Sequence, residues 1–434
     1  MDARSTDAPT TPGRTRGPRI PDLLRQPGFR RYWTGQTVSG LGDQISALAI
    51  PLIGVTVLHA DAAAMGFLGA AAWLPTLLLG LPAGQWADRR RRRRHVMLAA
   101  DLARAAVLVT VPVAAALGLL TLWHLYAVSF TVGTLSVFFE VSNPHVFKAL
   151  VPADRYVAGN ALASGGRAMA KVVGPSVGGL LVQWLSAPLS LLADAATFLA
   201  SAFSLARVAP VEPPPAPRTG RPFAAAGGFI LRSAVIRPAL AATATVNFFT
   251  FIGSTLFVLY ATKALHLDPG LIGAVLGAGA LGALLGATCA TRLLARIGVG
   301  RGFALGCVVF AAPMLLVPAA GGPQRLVLGL LVCAQFTSGL GVIWIDISLA
   351  TIFAVHVPDD LRSGVFGAYQ AVNLGTRPLA SLLGGTLATV AGLRPTLWVA
   401  AAGALTAWVW LLPSPLLRRH GLPEQAGAPA RTKV

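Results

Sequence analysis

Apolar residues in this chain gather into long, nearly unbroken runs, each closed by a short connection carrying polar residues, Gly or Pro. Such runs lack the two-residue alternation of half-buried strands. They are also too uniformly apolar for the amphipathic helices of a water-soluble protein. A helix needs about 20 mostly apolar residues to cross the hydrocarbon of a bilayer, and twelve runs approach or exceed that length: 33–58, 63–86, 95–118, 122–147, 161–185, 188–208, 238–261, 270–293, 302–320, 325–350, 365–391 and 394–416. With no water in the hydrocarbon, each crossing must satisfy its backbone polar groups internally, which helices do. The pattern therefore predicts an all-α membrane protein with twelve transmembrane helices.

The polar connections alternate in charge. Between the second and third runs stands Gly84-Gln85-Trp86-Ala87-Asp88 followed by six arginines, Arg89 to Arg94. Alternate connections after it hold Lys148 with Arg155, Arg207 to Arg237, Arg292 to Arg301, and Arg362. The remaining connections carry only Lys263, Arg325 and Arg394. Positive loops are retained in the cytoplasm, so this asymmetry places the arginine knot and both termini inside a cytoplasmic membrane. Residues 1–31 read as a disordered basic tail with a juxtamembrane segment, and 417–434 as a cytoplasmic tail. No apolar region precedes a small-residue cleavage site near the start, so no cleaved signal peptide is expected.

The longest connection begins with the Pro-rich stretch 211–217 and divides the chain near its middle. Shifting the sequence by 206 superposes Val151-Pro152 and Asp154 on Val357-Pro358 and Asp360, Lys171 on Arg377, and Gly178-Gly179 on Gly384-Gly385. A shift of 207 matches Asp61 with Asp268 and Gly66 with Gly273. The organisation expected is two six-helix halves, 32–208 and 238–416, joined by a cytoplasmic linker, 209–237.

Composition agrees and narrows the function. Of 434 residues 55% are hydrophobic and 12% charged, with a mean hydropathy of +0.67, too little polar surface to cover a soluble domain. A net charge of +19 would suit a nucleic-acid binder. Its confinement to alternate connections and termini points to topology instead, so no nucleic-acid partner is expected. Cys289, Cys307 and Cys333 all lie in apolar runs and are too scattered for a metal framework. No lysine follows a glycine, which leaves no phosphate loop, and the seven histidines form no catalytic cluster. Neither an enzyme nor a cofactor is expected.

Ionisable groups inside the runs are costly, about 2.5–3.5 kcal/mol each on insertion scales, and are functional by default. Asp43 stands well inside the first run with no basic residue within one helical turn. It is the first candidate for proton coupling, with Lys171 as its expected partner and Glu140 as the second candidate. Arg167, Lys171, Asp346 and Arg377 are candidate cavity charges, and Asp194 is another buried charge. Asp101 and Arg104 are spaced to pair on one helix face. Trp33, Trp73, Phe138, Phe139, Phe248, Phe249 and Trp344 either line a pocket or pack and anchor helices. Asn247 is a polar handle or a helix-to-helix hydrogen bond.

Two six-helix halves with this knot resemble the major facilitator superfamily. Its loop signature G-x-L-A-D-R-x-G-R-R reads here as Gly84, Trp86, Ala87, Asp88, Arg89, Arg91, Arg92 and Arg93. The resemblance implies a conformational latch of Gly84, Asp88, Arg89 and Arg92, with the eleventh span as the partner of Asp88. Arg90, Arg91 and Arg94 are read as topology signals. A second, antiporter-like signature reads Ala170, Gly174, Pro175, Gly178 and Gly179, and implies efflux; its other reading is small-residue packing. The fourth-span pattern departs from the family, with Ser129 where an arginine is usual before Gly133. Phe29-Arg30-Arg31-Tyr32-Trp33, then Gln36, Ser39 and Gly42-Asp43, and Asn160-Ala161-Leu162, are similar to the siderophore and macrolide exporter (drug:proton antiporter) branch. The implied activity is export of a small amphipathic molecule by alternating access against protons, by a monomer. A lipid flippase or a non-transporting ligand sensor is the alternative on the same scaffold.

Overall fold

The computed structural model describes residues 21–90, 92–210, 223–359 and 361–417, apart from a few side chains inside helices, that of Asp88 among them. Helices fill all twelve apolar runs: α1 (Pro27–Leu52, continued by a π turn Ile53–Val57), α2 (Ala62–Asp88), α3 (Arg93–Ala116), α4 (Leu122–Leu150), α5 (Tyr156–Leu185), α6 (Ala187–Ala206), α7 (Ile236–Lys263), α8 (Pro269–Ile297), α9 (Val299–Ala311), α10 (Gln324–His356), α11 (Arg362–Ala391) and α12 (Leu393–Leu405). Short helices Asp22–Arg25 and Phe223–Arg232 precede the two sets of six. Among the described residues, ten helical segments, those of α1 to α10, are long and apolar enough to cross a membrane. The other two differ for physical reasons. α11 carries Tyr369, Asn373, Thr376 and Arg377 along its middle, and α12 passes into 3-10 turns at Thr406.

Local chemistry sets the helix ends. The Asp61 carboxylate accepts a hydrogen bond from the Ala64 amide at 2.8 Å and caps α2. Proline occupies the first turn of α1, α6 and α8, where its missing N–H costs nothing. Outward-facing Phe67, Leu78, Leu199, Leu284 and Leu379 are exposed, the expected state of a lipid-facing surface. Trp123 and Trp184, also exposed, sit at helix ends on the same side of the bundle, the position of an interfacial aromatic belt.

Helix pairing repeats with a period of six. The pairs α1/α6, α1/α5, α2/α4 and α3/α4 recur as α7/α12, α7/α11, α8/α10 and α9/α10, and the seams α2/α11 and α5/α8 join the two sets. Turns repeat as well. Leu58-His59-Ala60-Asp61 and Leu265-His266-Leu267-Asp268 each put histidine at positive φ, 52° and 51°. In each, the amide three residues before the aspartate donates back to the helix: Leu58 to the Ile53 carbonyl and Leu265 to that of Tyr260, both at 3.1 Å. Ser186 and Gly392, 206 apart, end α5 and α11 at φ of 89° and 92°.

The seams are tight at one end only. A Cβ on Gly66 would lie 2.9 Å from the Cα of Gly385, and one on Gly179 3.1 Å from that of Gly273, so both pairs demand glycine for close approach. Lys263 Nζ adds a hydrogen bond to the Ala60 carbonyl at 2.9 Å. Toward the arginine knot on the same helices, Gly80, Gly84 and Gly165 have nothing within 4 Å of an added Cβ. The bundle is thus sealed at the end remote from the knot.

Candidate functional site

Charged side chains of the first set of helices converge on Arg104. Its guanidinium pairs with Asp101 one turn away on α3, both buried, and donates to Ser136 Oγ on α4 at 3.3 Å. It also lies 4.1 Å from the Phe198 ring and 4.5 Å from the Phe139 ring. Asp194 on α6, also buried, accepts from Ser46 Oγ of α1 and, at 3.1 Å, from Thr197 Oγ1. Asp43 and Glu140 complete the group, and Arg104 is an electrostatic neighbour of both.

Asp43 occupies the junction of two cavities. A small one of about 110 Å³ lies toward the arginine knot and is lined by Tyr32, Gln36, Asp43, Arg104, Glu140 and Arg167. A larger one of about 400 Å³ is bounded by Asp43, Ser46 and Asp194 on one wall and by Trp73, Phe251 and aliphatic side chains elsewhere. A third, about 410 Å³, is walled by α7, α12 and residues between Phe310 and Pro318, and shares Ala47, Pro51 and Ser254 with the second. Asp43 is thus the carboxylate common to a polar vestibule and an apolar chamber of the size that holds small organic ligands.

Several sequence expectations meet their geometry here. The basic group acting on Asp43 is Arg104 rather than Lys171. Lys171 is exposed and acts instead on Asp346 of α10, across the two sets of helices. Glu140 and Arg167 meet at the vestibule, where Arg167 also donates to Ser164 Oγ at 3.1 Å. Arg377 lies apart, on the α2/α11 seam. Asn247 donates to the Thr243 carbonyl of its own helix at 2.9 Å. Trp344 donates to the Gly286 carbonyl at 3.1 Å and packs α10 on α8.

The glycine signature on α5 is a three-helix junction. Added Cβ atoms on Gly174 and Gly178 would meet Gln44 and Ile45 of α1, while Gly179 and the Pro175 carbonyl face α8. Gly384 and Gly385 repeat this against α7 and α2. Near the knot, Arg93 Nε donates to the Ala87 carbonyl at 3.0 Å, Arg94 to that of Val208, and Arg31 to that of Arg207 at 2.8 Å. These cations cap the last carbonyls of α2 and α6, which gives Arg94 a structural task beyond topology. Arg89 and Arg92 are exposed; the Asp88 side chain and Arg91 lie outside the described residues.

Sequence reasoning missed the meeting of Asp43, Arg104 and Asp194, which come from α1, α3 and α6. Their only linear signal was their charge within apolar runs. It also missed Phe251, whose spacing in Phe248-Phe249-Thr250-Phe251 resembles ordinary helix packing.

Ten membrane-crossing helices, a sixfold period of packing and a ligand-sized central chamber with a charged wall define a multi-pass membrane carrier. The family model described as transmembrane secretion effector matches residues 21–425. An uncharacterized MFS-type transporter of Bacillus subtilis (strain 168), YfiS, is 26% identical over 406 residues, covering 90% of this chain and 89% of the relative. Solved structures share the fold. A bacterial homologue of the iron transporter ferroportin in an inward-facing state has a TM-score of 0.72 at 15% identity, covering 92% of this chain and 100% of that one. The nucleoside transporter NupG has a TM-score of 0.71 at 12% identity, covering 88% and 98%. The chain belongs to the transmembrane secretion effector family of major facilitator transporters, and it is a transporter, not an enzyme.

Proposed function

We propose that the protein is a monomeric, twelve-span secondary transporter of the cytoplasmic membrane that exports a small amphipathic molecule in exchange for protons. Its two six-helix halves alternate about the central chamber, with the arginine knot, the 209–237 linker and both termini in the cytoplasm. The observation that carries this reading is the position of Asp43 on the wall shared by the vestibule and the apolar chamber. From there one carboxylate can exchange a proton through the vestibule and sense an occupant of the chamber. Asp43, Asp101 and Asp194 share one buried guanidinium, that of Arg104, while Glu140 also has Arg167, so protons or solvent must balance part of the charge of the first three. Glu140 stands next on the vestibule side.

With its remote seams closed, the structure corresponds in this scheme to the form that loads from the cytoplasm. The electrostatic attraction between Lys171 and Asp346, and a latch at Asp88, are the features that would change as the knot end closes. Proteoliposomes containing a trapped pH dye test the function. Permanently charged or neutral probes that carry no proton themselves, naphthalenesulfonate, naphthyltrimethylammonium and naphthalenemethanol, are presented under a proton gradient. Probe-dependent proton flux and uphill probe accumulation are expected from the native protein. Asp43→Asn is expected to lose both while retaining downhill probe exchange. A variant that still builds a full probe gradient would reduce Asp43 to a structural role.

A further inference from the structure

Midway along α11, Arg377 packs against two aromatic rings, with its guanidinium carbon 4.2 Å from the Trp73 centroid and 4.6 Å from that of Phe251. Trp73 belongs to α2 and Phe251 to α7, so the clamp draws on both sets of helices, and the two rings meet edge to face at 5.5 Å. Both rings line the 400 Å³ chamber. No carboxylate among the described residues pairs with Arg377, and its Nε is buried without a hydrogen-bond acceptor. Asp346, the acidic residue within the spans of the second set, has Lys171 as its electrostatic neighbour.

A guanidinium at the middle of a membrane helix without a counter-ion is costly, and the faces of two rings recover only part of what water supplied. With their centroids only 5.5 Å apart, the two rings touch the guanidinium from adjacent sides and leave the rest of it uncovered by them. The edge is where a planar fork pairs with an oxyanion. Asp43 and Asp194 line the same chamber, so it has an anionic wall from the first set of helices, and the Arg377 cation lies behind two of its aromatic lining residues.

We infer that Arg377 is the recognition site for an anionic headgroup, a carboxylate, sulfonate or phosphate, on an amphipathic substrate whose apolar body fills the chamber. The inference rests on the chamber being the substrate site. It adds the charge class of that substrate. Trp73 and Phe251 hold the guanidinium in place from two sides, so a bound oxyanion meets a preorganised donor.

Binding of the same three naphthalene probes to the full-length protein in nanodiscs, followed by equilibrium dialysis, tests it. Naphthalenesulfonate should bind at least about tenfold more tightly than naphthalenemethanol, the lower bound for one charge-assisted hydrogen-bonded contact, and naphthyltrimethylammonium, which Arg377 cannot engage, should bind the same to native protein and Arg377→Gln or more tightly to the variant. Arg377→Gln should erase the preference for the anion while leaving the neutral alcohol bound as before, and Arg377→Lys should restore part of it. Unchanged alcohol binding shows that the variant remains folded. Equal binding of anion and alcohol by the native protein, or an anion preference that survives Arg377→Gln, would overturn the assignment and leave the chamber as a neutral-ligand site. Failure of all three probes to bind would overturn the chamber as the substrate site and this assignment with it.

Discussion

At the scale of single residues, the buried pair Asp101–Arg104 carries the largest energetic stake. Both partners are withdrawn from water, and a charge left alone in such a place costs about 3–5 kcal/mol, whereas removing both partners costs much less. Arg104→Gln is therefore expected to lower the melting temperature in detergent sharply, because Asp101 and its neighbours Asp43 and Asp194 lose their shared cation. Asp101→Asn combined with Arg104→Gln should recover a measurable part of that loss. A double variant as unstable as the sum of the two single ones would show that the pair is not coupled. The pair was legible in the sequence because a spacing of three places both groups on one helical face. The meeting of Arg104 with Asp43 was not, because it depends on how α1 and α3 pack, and linear spacing is silent on that.

At the scale of helices, the repeat read from the sequence becomes geometry. Gly66 matches Gly273 at a shift of 207, and Gly179 matches Gly385 at 206. In the fold these four residues form two equivalent crossings, Gly66 on Gly385 and Gly179 on Gly273. The matching histidines His59 and His266, both at positive φ, belong to the same repeat. They escaped notice because a lone histidine beside a helix start has no distinctive pattern until its backbone is seen. Any side chain on Gly66 must displace backbone, since Ser381 O would lie 2.8 Å from the new Cβ. Gly66→Val is accordingly expected to open the remote seam, widening distances there and favouring the form closed at the arginine knot. Unchanged distances, with the protein folded, would mean that this seam does not bear on the equilibrium.

For the molecule as a whole, the apolar runs and the alternating basic connections made the fold class readable, because a bilayer imposes length and charge rules that a single sequence displays directly. The chamber was not readable. Its walls come from α1, α2, α4, α6 and α7, and which faces of those helices turn inward depends on close packing that apolar runs do not encode.

The central claim is that proton occupancy at Asp43 biases which end of the bundle is open. Spin-label distances read this without a substrate. With the native cysteines replaced, one pair of labels at Val157 and Val355 spans the knot end, and another at Leu119 and Val390 spans the remote end; all four positions are exposed. Between mildly acidic and mildly alkaline pH in nanodiscs, the two distance distributions should redistribute in opposite senses, and Asp43→Asn should hold both fixed. Distributions that ignore pH in the native protein, or that respond equally in Asp43→Asn, would contradict the account.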